Sequence, residues 1–99
     1  MWHGQSEMGT QKLHRIYTED FRRKTLVRAL SKKFASFTLQ PTTGYFAGKA
    51  EKSIVLEILG ATDAEIKWLA ERIRKINQQS SVLVLTIIGR AKKITSNPG

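Results

Sequence analysis

The apolar residues of this chain alternate between two periods, and the order of those periods restricts the folds open to it. Lys12 to Tyr17 (Lys-Leu-His-Arg-Ile-Tyr) carries a short strand pattern. Phe21, Leu26, Val27, Leu30 and Phe34 then share one face at helical spacing. Thr18 is the expected N-cap of that helix, with Glu19 and Asp20 placing negative charge in its first turn. Ser36 to Gln40 returns to alternation, with Phe37 and Leu39 on one side and Pro41 as the expected stop. An elaborated hairpin then leads to Ser53 to Leu59, where Ile54, Leu56 and Ile58 share a face.

Gly60 ends this strand, and Thr62-Asp63-Ala64-Glu65 has the spacing of a capping box. In that device the threonine side chain meets the amide at Glu65 while the glutamate reaches back. Ile66, Leu69, Ala70, Ile73 and Ile76 continue at helical spacing to about Asn77, with Lys67, Glu71 and Lys75 expected to pair on the outer face. Ser81 to Ile88 is β-branched and apolar on both sides, and ends at Gly89. The order is βαββαβ, and right-handed crossovers over one antiparallel sheet turn it into a ferredoxin-like α+β two-layer sandwich with two helices on one face.

A chain of 99 residues holds one such domain. The expected organisation is a flexible N-terminal arm over 1–10, a single domain over 11–89 and a flexible basic tail over 90–99, with Met1 or Met8 as the start. The absence of cysteine excludes a disulfide framework, a thiolate metal site and a cysteine nucleophile, and fits a cytoplasmic protein. The beginning lacks the cationic and apolar segments of a secretory signal, and the longest apolar run is too short to span a bilayer, so no membrane is expected among the partners.

In this fold the helices cover one sheet face only. The other face should be polar, yet Val55 and Leu59 point to it, and the last strand brings apolar residues to both sides. A homo-oligomer, dimer or trimer, assembled through that face is therefore expected, with Val55, Leu59, Trp68, Val82 and Val84 as its contact residues. The alternative cover is the arm itself, through Trp2 and Met8.

Seventeen Lys and Arg against eight Asp and Glu give a formal charge of +9, which favours an anionic partner. Arg22, Lys24, Arg28, Lys32 and Lys33 on the first helix, joined by Arg90, Lys92 and Lys93 in the tail, form the candidate surface for nucleic acid or another anion. Arg72, Arg74 and Lys75 add to the field. Gly44, Tyr45, Phe46, Gly48, Lys49 and Glu51 set two aromatics between glycines in the hairpin and form a candidate ligand pocket. The third strand lacks the aromatics of an RNA recognition motif. His3 in the arm and the lone strand His14 make neither a catalytic pair nor a metal site, and Glu51 and Glu57 lie too far apart for a carboxylate pair. No catalytic residue, metal or cofactor is expected.

Phe37-Thr38, the run from Gly44 to Ser53, Glu57-Ile58 and Asn77-Gln78, with Tyr17 to Asp20 before them, resemble a family of small bacterial and phage-borne proteins carrying a GYWxGxxExS…EI pattern. Phe46 stands where that pattern favours tryptophan. The resemblance implies a cytoplasmic, mobile-element setting and no assigned activity. The element order is also similar to that of trimeric PII and CutA signalling proteins, which bind small anions or metals between subunits. Three readings follow: a non-enzymatic oligomeric module for an anionic ligand, nucleic acid foremost; a PII/CutA-like small-molecule or nucleotide sensor with its site between subunits; and a mobile-element protein that binds another protein through its sheet face.

Overall fold

The structure, a computed structural model, describes the backbone of residues 3–96 and the side chains of residues 9–95. Trp2, and the side chains of His3 and Met8, lie outside the described residues. The elements run β1 (His3–Glu19), α1 (Arg23–Lys33), β2 (Thr38–Phe46), β3 (Lys49–Leu59), α2 (Asp63–Ile76) and β4 (Leu83–Ser96). The strands form one antiparallel sheet in the order β2-β3-β1-β4, the ferredoxin-like arrangement that the period order predicts.

Both helices lie on one face. Leu26 and Leu30 of α1, Phe34 at its C-cap, and Ile66, Leu69 and Ile73 of α2 close over Ile16, Ile54, Leu56 and Ile58 of the two central strands, forming the buried core. His14 is fully buried in the same layer. Its Nε2 donates to the Ala61 carbonyl at 3.0 Å, which leaves Nδ1 to accept from the Thr86 hydroxyl at 2.9 Å. A lone histidine with both nitrogens engaged by the scaffold is structural.

The capping box at the start of α2 is present as read: Thr62 Oγ1 accepts from the Glu65 amide at 3.1 Å, and Glu65 Oε1 accepts from the Thr62 amide at 3.0 Å. On the outer face Glu71 pairs with Arg74, three residues on, at 3.2 Å, and not with Lys67 or Lys75 as the spacing predicts. At the other end Gln78 adopts a left-handed φ of 53°. Its amide donates to the Lys75 carbonyl, and that of Gln79 to the Arg74 carbonyl. This Schellman geometry ends the helix without glycine.

Four local expectations are corrected. Thr18 does not cap α1; it belongs to β1, and its hydroxyl donates to Gln79 and accepts from Asn77 Nδ2. The helix starts at Arg23, behind an ion pair between Asp20 and Arg23, and Phe21 stays 57% exposed rather than joining the core. Pro41 does not stop β2, because β2 is an edge strand and a missing N–H costs nothing on an open edge. The hairpin is tight: Ala47 and Gly48, both at positive φ (50° and 78°), form the two-residue turn whose twist matches the strands it joins.

The strand bounds also differ at both ends of the chain. β1 and β4 pair from Tyr17 opposite Leu83 out to His3 opposite Ser96, with a shift of register between Glu7 and Thr10. The segments read as arm and tail thus form a two-stranded ribbon beyond the helices, and the molecule measures 52 × 28 × 25 Å. Their strand content escapes a pattern reading because polar residues fill the ribbon: it has no core to face.

Register settles which residues share the open face. Val82 and Val84 turn toward the helices and pack against the core, so they are not surface contacts. Leu83, Leu85 and Ile87 take their place on the open side, 65%, 44% and 40% exposed. Pairing with Leu13, Arg15 and Tyr17 puts them on one surface with Val55 and Leu59. Amid these apolar residues Arg15 and Glu57 sit directly opposite each other, and Arg15 Nε donates to Glu57 Oε2 at 2.6 Å. Trp68 lies on α2, on the other side of the molecule.

Candidate functional site

A cleft opens on the uncovered sheet face where β1 ends beside the hairpin strands. Successive strand residues point to opposite faces, so Tyr17 and Glu19 on β1, Thr42 and Gly44 on β2, and Glu51, Ser53 and Val55 on β3 reach it together. With Thr18, Thr43 and Gln79 they enclose about 410 Å³. A second cleft of about 480 Å³ shares Glu19, Glu51 and Gln79 and adds Phe46, Gln78, Ser80 and Ser81. Gly44 shapes the floor: a Cβ there would stand 2.8 Å from Ser53 Oγ.

The junction of the clefts is braced from beneath. Asn77 Nδ2 donates to Thr18 Oγ1 and to the Glu19 carbonyl, both at 3.0 Å, and lies 3.2 Å from Gln79 Oε1. The turn that ends α2 is thereby fastened to the end of β1, which carries Glu19. The buried Oδ1 of Asn77 has no hydrogen-bond partner among the described residues.

The lining is selective in charge. In a chain with seventeen Lys and Arg, no basic residue among those described lines either cleft, while Glu19 and Glu51 line both. Several described carboxylates elsewhere are held in hydrogen bonds or ion pairs. The carboxyl of Asp63 is held below its ordinary range by the hydrogen bond and charge of Lys12, and that of Asp20 by the hydrogen bond from Arg23. Glu65 is held low by the Thr62 backbone amide.

The residues proposed from sequence are partly brought together. Gly44, Phe46 and Glu51 line the clefts, whereas Tyr45, Gly48 and Lys49 do not. Tyr17, Glu19, Ser53 and Gln79 are cleft residues that the sequence reading passed over; the odd-numbered alternation along β1 and β3 was the available signal.

The basic residues divide among three places. Arg28, Lys32 and Lys33 converge with Arg72, Thr25, Ala29, Trp68 and Ile76 along a groove of about 310 Å³ between the helices. Arg22 lies over the Phe21 ring, 5.1 Å from its centroid, and neither it nor Lys24 lines that groove. Arg90, Lys92 and Lys93 stand on the ribbon. Among the described residues no group of three or more His, Cys, Asp or Glu is arranged to hold a metal ion, and no helix is long and apolar enough to cross a membrane.

The four-stranded sheet, its strand order and its one-sided helical layer define the class as a ferredoxin-like α+β sandwich. Among solved structures, a nitrogen regulatory PII-like protein from Thiomonas intermedia, bound to ADP, AMP and bicarbonate, superposes with a TM-score of 0.62 at 13% identity, covering 84% of this chain and 93% of that one. The GlnK–ATP complex of B. subtilis gives 0.57 at 18% identity, covering 79% and 82%. A phage SAM lyase in its apo state gives 0.59 at 14% identity, covering 95% and 96%. At these identities the likeness is one of fold. No protein-family model and no curated protein matches the chain.

Proposed function

We propose that the protein is a homo-oligomeric small-molecule-binding module, assembled through the open sheet face, with its ligand in the Glu19–Glu51 cleft at the edge of the subunit contact. The observation that carries this reading is continuity: Tyr17 and Val55 belong at once to the cleft and to the apolar face. A second subunit covering Leu59, Leu83, Leu85 and Ile87 therefore closes the cleft as well. The charges on that face cost the desolvation of a bonded pair, less than that of two lone charges. Arg15 and Glu57 already satisfy each other, and removing a bonded pair from water leaves no lone charge behind.

Besides bicarbonate, the ligands named for the fold neighbours are ADP, AMP and ATP, and these share an adenosyl group with SAM, the substrate named for the phage lyase. An adenosyl compound is accordingly our first ligand class. Two carboxylates with no opposing base repel a polyphosphate and favour an uncharged or cationic tail, which ranks SAM above AMP and AMP above ATP. The anionic ligand expected from net charge does not suit this cleft; it suits the helix groove, treated below.

Equilibrium dialysis of the wild-type protein against AMP, ADP, ATP and SAM tests the reading, with Glu51→Gln and Glu19→Gln in parallel. Saturable binding with SAM tightest, then AMP, ADP and ATP, in which each substitution weakens SAM about tenfold and tightens ATP, supports it. ATP as the tightest ligand, or binding indifferent to both glutamates, overturns it. Chromatography of the recovered SAM separates a module, which returns it intact, from a lyase, which does not.

A further inference from the structure

On the side of the molecule opposite the open face, the helical layer carries a surface of different chemistry. α1 has the sequence Arg-Lys-Thr-Leu-Val-Arg-Ala-Leu-Ser-Lys-Lys, with no acidic residue from end to end. Arg28 and Lys32 are four apart and share one helical side, which Lys33 joins at the groove. Across it α2 contributes Arg72 and Trp68, spaced four apart in the same way. The acids of α2 are engaged elsewhere: Asp63 with Lys12, Glu71 with Arg74 and Glu65 in the capping box. Lys33 Nζ stands 5.1 Å from the centre of the Trp68 ring. The side chains of Arg28, Lys32 and Arg72 have no hydrogen bond or ion pair with any described residue.

Glu65 offsets part of the Lys33 charge, but Arg28, Lys32 and Arg72 have no such partner; cations held together in this way repel one another, and an anion placed among them relieves that repulsion. The apolar lining, Ala29, Ile76 and the 43%-exposed indole of Trp68, adds a surface for a flat, weakly polar group. Linked phosphates beside a planar ring describe a nucleotide strand. Geometry selects the single strand over the duplex. Adjacent helices have axes about 8–10 Å apart, so the furrow between them admits one extended chain; its volume of about 310 Å³ lies at the small end for ligand pockets, about 300–1,000 Å³, the scale of one nucleotide.

We infer that the α1–α2 groove is a binding site for single-stranded nucleic acid, in which Arg28, Lys32, Lys33 and Arg72 hold successive phosphates and Trp68 stacks a base. The combination of a cationic track with an aromatic platform is what sequence-tolerant strand binding requires. The site is separate from the cleft on the sheet face and does not depend on what that cleft binds.

The test uses the full chain with Trp2→Phe, leaving Trp68 as the only tryptophan. A twelve-nucleotide oligothymidylate is titrated at about 50 and 150 mM salt while Trp68 fluorescence and the anisotropy of an end label are read together. The expected result is quenching of Trp68 in step with anisotropy, and a slope of log K against log salt of about −2 to −3, as three or four phosphate contacts on a single strand give. Arg28→Ala and Arg72→Ala should each weaken binding about tenfold and shallow the slope by about 0.7. Trp68→Ala, kept on the Trp2→Phe background and read by anisotropy alone, should weaken binding about tenfold with the slope unchanged. Lys49→Ala, on the hairpin, should do neither. Circular dichroism verifies that each variant is folded. Absence of binding at 50 mM salt, binding without quenching, equal affinity for a duplex, or an effect of Lys49→Ala as large as that of Arg28→Ala overturns the inference.

Discussion

Replacing Leu85 and Ile87 together by lysine should convert the protein to monomers without unfolding it. Both side chains point away from the core and are already 44% and 40% exposed in the single subunit, so the isolated domain loses about 1 kcal/mol at each. The associated state loses more. What is still exposed of each side chain contributes about a further 1 kcal/mol when a partner covers it, and an ammonium buried in its place costs several kcal/mol unless paired. With two copies of each substitution at every subunit contact, the dissociation constant should rise at least about a thousandfold. Sedimentation velocity at about 50 µM checks this: the wild type should sediment as a dimer or trimer, and the variant at the 11.2 kDa of one chain with its helical circular dichroism retained. A wild type that is monomeric at 100 µM, or a variant that sediments like the wild type, refutes assembly through this face. The monomeric outcome would favour the reading in which a different protein covers the sheet.

Three further perturbations probe the scaffold. Thr62→Ala removes the acceptor for the Glu65 amide and should cost about 1 kcal/mol, lowering the melting temperature by about 4–8 °C in a thermal scan. His14→Ala leaves a cavity and strips the Ala61 carbonyl and Thr86 hydroxyl of their partner; about 2–4 kcal/mol should be lost, and a fall under about 5 °C would show that neither bond matters. Asp20, Asp63 and Glu65 all have carboxyls below their ordinary range, so protonation favours the unfolded chain. Their contribution should be complete above about pH 5 and be lost as pH falls through the lowered values, read as a declining urea midpoint below about pH 4.

What could be read from the sequence was what is decided locally. The capping box needs only Thr62 and Glu65, three residues apart, and the core stripe of α2 follows from it. Thr18 was misread because Thr-Glu-Asp before an apolar helix suits a cap; its true partners, Asn77 and Gln79, lie 59 and 61 residues away. Pro41 was misread because a proline is a stop or a harmless edge residue according to where its strand lies, which is a property of the whole sheet. The faces of β4 were undecidable while both were apolar, and only pairing with β1 turns Val84 inward and Leu85 outward. The basic stripe on α1 was legible, but Arg72 and Trp68 complete the groove only once the helices pack.

The two surfaces constrain one another. If self-association covers the open sheet face, the helical layer becomes the outside of the assembly, and each subunit displays its own α1–α2 groove to solvent. A strand long enough to reach two grooves is then held at both, and the second contact forms at an effective concentration in the millimolar range for a short flexible connection. Oligothymidylate of about twelve nucleotides should bind the wild type and the Leu85→Lys/Ile87→Lys protein alike, because one groove suffices for it. A strand of about sixty nucleotides should bind the wild type at least about a hundredfold more tightly than it binds the monomeric variant. Equal affinity of both proteins for the long strand would mean that the grooves do not act together, and that sheet-face assembly and strand binding are unconnected properties of this fold.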